Sequence, residues 1–246
     1  GSSSGTGSSS VLRLAYSKLT HKHMETLCGA LLSGGGGITG LDLRMNLLDP
    51  LALALLVARL VEAGTTLVDL DLSDNPKLGP GGTEALCALL PPSFAPDGAA
   101  ALFTLSLNNC GCGPVGAVAL GTALELNKSL TRLELSNCRV GDVGAVALGT
   151  AVAENVCLVT LNLAGNNIRV RGARAIAAGL RYNGTLTSLD LSHNERLGDV
   201  GVACFGAALE ENQALAVLDL SCTGAGRASA LVISEALDSN PSLKVL

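Results

Sequence analysis

A block of six residues, Leu130-Thr131-Arg132-Leu133-Glu134-Leu135, returns along this chain in a fixed phase, and that recurrence limits the possible folds more than any other feature. The same leucine spacing appears at Leu158, Leu161 and Leu163, at Leu186, Leu189 and Leu191, and at Leu215, Leu218 and Leu220. Toward the amino terminus it appears at Leu102, Leu105 and Leu107, at Leu67, Leu70 and Leu72, and at Ile38, Leu41 and Leu43. Leu12 and Leu14 form a degraded first copy, and Leu243 to Leu246 begin another. Copies start 28 or 29 residues apart, except for the step of 35 from Leu67 to Leu102. A period of this length marks a unit that cannot bury its apolar face alone and must stack on its neighbours.

Each unit carries two periodicities. The Leu-x-Leu core puts two leucines on one face of a short strand, because side chains alternate along a strand. In the second half the apolar residues fall three and four apart, as in Ala145, Leu148 and Val152, so they share a helical face. The same slots hold Ala117, Leu120 and Leu124; Ala173, Ile176 and Leu180; Val202, Phe205 and Leu209; and Thr83, Leu86 and Leu90. Gly82, Gly116, Gly144, Gly172 and Gly201 precede or open the helices, which predicts tight reversal and close packing. Asn46, Asn75, Asn166 and Asn194 share one slot after the strand, with Cys110 and Cys138 in the same slot of two copies. An asparagine there can bond the backbone of the next unit and so build a ladder. The expected fold is a right-handed α/β solenoid, with a parallel sheet on the concave side and helices on the convex side.

The pattern LxxLxLxxN/C, followed by glycine and an LxxxL-type helix, resembles the ribonuclease-inhibitor-type leucine-rich repeats over about residues 11–246. The resemblance implies a horseshoe that binds another protein on its inner sheet and does no chemistry of its own. Families with similar repeats also include GTPase-activating proteins of the Ran type and cytoskeletal or axonemal subunits. The first alternative would use Asn109, Asn137 and Arg139 at the strand ends; the second would make the chain a structural tile.

The formal net charge of −5 weighs against nucleic acid and anionic membrane as partners. With three Phe, two Tyr and no Trp there is little to stack bases upon, and the core must be aliphatic. The longest apolar run, Leu51 to Val61, contains Arg59 and is too short to span a bilayer. No signal-peptide pattern is visible, so a cytoplasmic location, with possible cytoskeletal association, is the expectation. Gly1 to Ser10 read as a flexible Gly/Ser tail, and residues 91–98 as a Pro-rich insertion that carries Phe94. The eight cysteines read as small apolar fillers in a reducing compartment, and Cys110-Gly111-Cys112 lacks the spacing of a redox or zinc motif.

The candidate binding surface is the inner sheet. Between the two leucines of each core stand Asp42, Asp71, Ser106, Glu134, Asn162, Asp190 and Asp219. On adjacent strands about 4.8 Å apart, Asp42 beside Asp71 and Asp190 beside Asp219 set like charges against each other, which points to a protein partner with a basic surface. Arg44, Asp69 and Arg132 flank this row, and Tyr16, Asn109, Asn137 and His193 stand on its rim. Asp69, Asp71 and Asp74 complete no calcium loop, and His21 with His23 lacks further ligands, so no metal or cofactor is expected. No GxSxG, Walker loop or Ser–His–acid constellation occurs, so the chain is not expected to be an enzyme.

Overall fold

The structure is a computed structural model that describes residues 10–33, 37–62, 64, 67–90 and 102–246. Among these residues eight strands alternate with eight helices. The amino-terminal half runs β1 (Ser10–Arg13), α1 (His21–Ser33), β2 (Ile38–Asp42), α2 (Pro50–Glu62), β3 (Asp69–Asp71), α3 (Gly79–Leu86), β4 (Thr104–Ser106) and α4 (Gly113–Leu126). The second half runs β5 (Arg132–Glu134), α5 (Gly141–Glu154), β6 (Thr160–Asn162), α6 (Val170–Leu180), β7 (Ser188–Asp190), α7 (Gly198–Glu211), β8 (Val217–Asp219) and α8 (Arg227–Ser239). Ser10, read from sequence as the end of the tail, already belongs to β1, whereas residues 1–9, the insertion 91–98 and its Phe94 lie outside the described residues.

All eight strands join one parallel sheet in chain order. Its register stacks Leu41, Leu70, Leu105, Leu133, Leu161, Leu189 and Leu218 as direct neighbours. These leucines and the inward residues of the helices form a continuous buried core. One helical slot departs from expectation. α3 ends at Leu86 and tightens into a 3-10 turn at Cys87–Leu89, so Leu90 reaches the core from beyond the helix. At the far end Ala230 of α8 is exposed, whereas Ile233 on the same helical face is buried.

Two asparagine ladders tie the units together. In the first, the Asn166 amide donates to the Leu135 carbonyl (2.7 Å) and its oxygen accepts the Cys138 N–H (2.9 Å). Asn194 repeats this one unit later with Leu163 (3.0 Å) and Asn166 (3.0 Å). At Cys110 and Cys138 the thiols stand in, donating to Leu72 (3.1 Å) and Leu107 (2.9 Å). The second ladder lies where helix returns to strand. Asn155, Asn183, Asn212 and Asn240 each accept two N–H groups of their own turn and donate to two carbonyls of the preceding unit. Such residues leave few backbone groups of the turns unpaired inside the stack.

Acidic residues also act between units. Asp142, in the first turn of α5, accepts the N–H groups of Arg169 (2.8 Å) and Gly172 (2.9 Å) and so caps α6 from outside it. Asp199 in α7 does the same for α8 through Gly226 (2.7 Å) and Ser229 (3.0 Å). Both place a carboxylate at the positive end of a neighbouring helix. On the convex side the helices meet at glycine. A Cβ at Gly149 would stand 2.6 Å from the carbonyl of Ala175 and 2.8 Å from the N of Ile176. Gly116, Gly144, Gly172 and Gly201 sit inside the first turns of their helices rather than ahead of them.

The concave sheet as candidate functional site

Each three-residue strand turns its central leucine into the core and leaves two side chains on the concave surface. Asp42, Asp71, Asn162, Asp190 and Asp219 share a local device. The Oδ1 of each accepts the backbone N–H two residues on, from Arg44 (3.2 Å), Ser73 (3.0 Å), Ala164 (2.9 Å), Ser192 (2.9 Å) and Ser221 (2.8 Å) respectively. These are Asx turns, and they require a short side chain with an oxygen at that reach. Charge is optional, since Asn162 serves as well as an aspartate. Much of the acidic bias in this row therefore has a backbone cause. At Glu134 the device is absent, and the Ser136 N–H and hydroxyl go to the Asn108 oxygen of the preceding unit (2.7 and 2.8 Å).

The like-charge contact expected between Asp42 and Asp71 is corrected by a third residue. The Arg44 guanidinium donates twice to Asp42 (3.0 and 2.8 Å) and stands 3.3 Å from an oxygen of Asp71. Asp42 is only 8% exposed, and its bond to Arg44 holds its carboxyl below the ordinary value of 3.8. These residues edge a shallow depression of about 290 Å³ with Arg13, Asp69 and Thr104. Because the folded pKa is depressed, the stabilisation is present above the unfolded value and is lost as pH falls through the folded one. Arg44→Met is expected to cost about 1 kcal/mol at neutral pH. Urea titrations should show the gap from wild type closing as the medium is acidified below 3.8. A gap that stays constant with pH would show that Arg44 acts through packing alone.

Farther along the sheet, Arg132 lies 3.3 Å from Glu134 within one strand. Asp190 and Asp219 are register neighbours on β7 and β8, and among the described residues no Lys or Arg forms an ion pair with either. The Asp219 carboxyl is held below its ordinary value by Ser221, through side chain and backbone, with a smaller contribution from His193 nearby. Asp69 is exposed and Asn162 is half-buried.

The rim residues share a conformation that sequence reasoning missed. Tyr16, Met45, Asp74, Asn109, Asn137, His193 and Cys222 all have φ between 54° and 59°, and Gly165 fills the same slot at 66°. Each non-glycine residue in that region carries a backbone cost of about 1 kcal/mol. The N–H of each, from Tyr16 to His193, bonds a carbonyl of the next unit, which extends the sheet pairing beyond the strands. Glycine, asparagine and aspartate in four of the eight slots were the available signal. Tyr16 is 74% exposed, and Asn109, Asn137 and His193 are exposed as well. The Asn109 amide donates to Asp74 (2.8 Å), and Arg139 is exposed at φ 60°. His21 bonds Asp49 (3.2 Å). Among the described residues no group of three or more His, Cys, Asp or Glu could hold a metal, and no helix is long and apolar enough to cross a membrane.

A parallel sheet of tandem strand–helix units with an asparagine or cysteine closing the strands from β2 to β7 is a leucine-rich-repeat solenoid. A family model described as Leucine Rich repeat matches residues 65–87, 126–149, 154–177 and 182–206, so the chain carries leucine-rich repeats. No match is found among curated protein sequences. Among solved structures it is similar to leiomodin-1 actin-binding site 2, at 23% identity over 65% of this chain and 88% of that one, with a TM-score of 0.51. It is similar also to a chain of the yeast Rad7–Elc1 complex, at 18% identity over 93% of this chain and 59% of that one, with a TM-score of 0.58. A tropomodulin C-terminal domain from Caenorhabditis elegans matches at 19% identity over 64% of this chain and 92% of that one, with a TM-score of 0.49. At these identities the likeness to the leiomodin and Rad7–Elc1 chains bears on the fold alone.

Proposed function

We propose that this chain is a non-catalytic scaffold of the ribonuclease-inhibitor type that docks a basic protein partner on the carboxy-terminal half of its concave sheet. The observation that carries this reading is the pair Asp190 and Asp219. Each is anchored by one oxygen to its own backbone, each faces the other across the register, and neither is paired with Lys or Arg among the described residues. Two like charges at strand spacing repel mildly until a cation joins them, so an incoming Lys or Arg gains from both. The anchored geometry also spares the partner the cost of ordering these side chains. The amino-terminal cluster offers less, because Arg44 already occupies Asp42 and Asp71.

The test uses substitutions that keep the Asx turns. Asn occupies this slot at Asn162, so Asp190→Asn with Asp219→Asn removes charge and leaves the fold intact. Wild type, this double variant and a convex control, Glu154→Gln with Glu210→Gln, would be immobilised and exposed to cell extract. A partner kept by the control and weakened about tenfold or more by the double variant supports the reading. Equal capture by all three overturns it. Stimulated GTP hydrolysis that is lost on Asn137→Ala would favour the GTPase-activating alternative, and co-sedimentation with actin or microtubules the cytoskeletal one.

A further inference from the structure

The fourth and fifth units carry a feature that docking does not use. Cys112 and Cys138 are both fully buried, and their sulfurs stand 3.5 Å apart. Cys138 fills the ladder slot that asparagine holds elsewhere, and its sulfur accepts from the Cys112 thiol while its own proton goes to the Leu107 carbonyl (2.9 Å). Cys112 is the N-cap of α4, so the positive end of that helix adjoins the pair. Cys112 also lies between Gly111 and Gly113, both at φ 65°, which gives its backbone room to shift.

We propose that Cys112 and Cys138 form a thiol-oxidation site, at which hydrogen peroxide or another small hydroperoxide makes a disulfide that staples the fourth unit to the fifth. The Cys138 sulfur attacks one peroxide oxygen, the O–O bond breaks, and the departing hydroxide takes the proton that Cys138 had shared with the Leu107 carbonyl, becoming water. The Cys112 sulfur then attacks the resulting sulfenic sulfur. The S–O bond breaks, and the hydroxyl leaves as a second water with the Cys112 proton. Two thiols and one peroxide become one disulfide and two waters, with both electrons passing from sulfur to oxygen. The hydrogen bond from Cys112 holds the Cys138 thiol below its ordinary value, which makes it the attacking partner. The same contact and burial push Cys112 up. Cys110, whose thiol points at the Leu72 carbonyl and is raised to about 12 by burial, stays out of the exchange.

Closing the bond draws the sulfurs from 3.5 Å to the covalent distance of about 2 Å. Full burial restricts the reagent to small oxidants that enter when the turn opens briefly, so oxidised glutathione should react far more slowly than peroxide.

The test treats the native chain with hydrogen peroxide, blocks the remaining thiols during unfolding, and digests with trypsin. Cleavage after Lys77, Lys128, Arg132 and Arg139 leaves Cys87, Cys110 and Cys112 in one peptide and Cys138 in another. The expected product joins these two peptides, with fragment ions placing the bond at Cys112. Cys87→Ala and Cys110→Ala should retain it and Cys112→Ala should lose it. Oxidised wild type should melt roughly 5 °C higher and return to its starting midpoint with dithiothreitol. The wild-type measurement stands alone should a variant fail to fold. Oxidation of the exposed Cys222 with no linked peptide, a link at Cys110, or a link that appears only in guanidinium would each overturn the proposal.

Discussion

Replacing Gly149 by valine is expected to cost about 3 kcal/mol or more and to unfold the carboxy-terminal units first. A Cβ there would meet backbone, the Ala175 carbonyl at 2.6 Å and the Ile176 nitrogen at 2.8 Å, and backbone cannot rotate aside as a side chain can. From the other side, a Cβ at Gly179 would meet the Gly149 carbonyl, so the two glycines hold α5 and α6 at one shared close approach. Separating these helices would strip the buried faces of Ala151, Val152, Ile176 and Leu180 of neighbours. The control is Gly184→Ala, an exposed position with nothing within 4 Å of the added carbon. Thermal and urea unfolding followed by circular dichroism would compare them. A Gly149→Val variant as stable as Gly184→Ala would show that the helices re-space without loss.

A second large effect is expected at Asn183, which is 7% exposed. Its oxygen accepts from Thr185 (2.9 Å) and Leu186 (2.7 Å), and its amide donates to Val152 (2.7 Å) and Asn155 (3.0 Å). Asn183→Leu strands the buried N–H of Leu186 and the half-buried N–H of Thr185 and leaves the two carbonyls short of a donor, at a cost of about 3–5 kcal/mol. Asn183→Asp separates the two halves of this role. The carboxylate keeps the acceptors but faces two carbonyls, which raises its folded pKa. A raised folded pKa gives stability that is present below the unfolded value and lost as pH rises through the folded one. The aspartate variant should therefore approach wild type in acid and fall away toward neutrality, while the leucine variant stays unstable throughout. Parallel pH profiles for the two would sink this account.

The fold was legible because two periods, strand and helix, stay in phase through the units from Ile38 to Leu220, and no other architecture satisfies both. The ladder slot of Asn46 and Asn75 was legible for the same reason. The second ladder was equally present in the spacing of Asn127, Asn155, Asn183, Asn212 and Asn240, but it lies outside the leucine block that draws attention. The concave row was legible as a surface, while the backbone role of its aspartates was not. Its aspartates answer first to their own backbone, which is a matter of side-chain length and torsion that composition does not encode. The role of Arg44 could not be read from residue spacing at all, since it depends on where a long side chain lies across a strand boundary. The rim conformation was partly visible in its glycine, asparagine and aspartate, and hidden where Tyr16, Met45, His193 and Cys222 take the same torsion at a cost.

The substitution of thiols for amides at Cys110 and Cys138 has a mechanical side. An asparagine in that slot joins adjacent units through a carbonyl oxygen and a two-proton donor, whereas a thiol offers one weak proton and a weak acceptor. The joints about the fourth unit are then more compliant than those held by Asn75, Asn166 and Asn194. A load along the axis would flex the solenoid there, with the Arg44 cluster on one lever arm and the Asp190–Asp219 pair on the other. A body gripping both arms would meet a spring rather than a clamp.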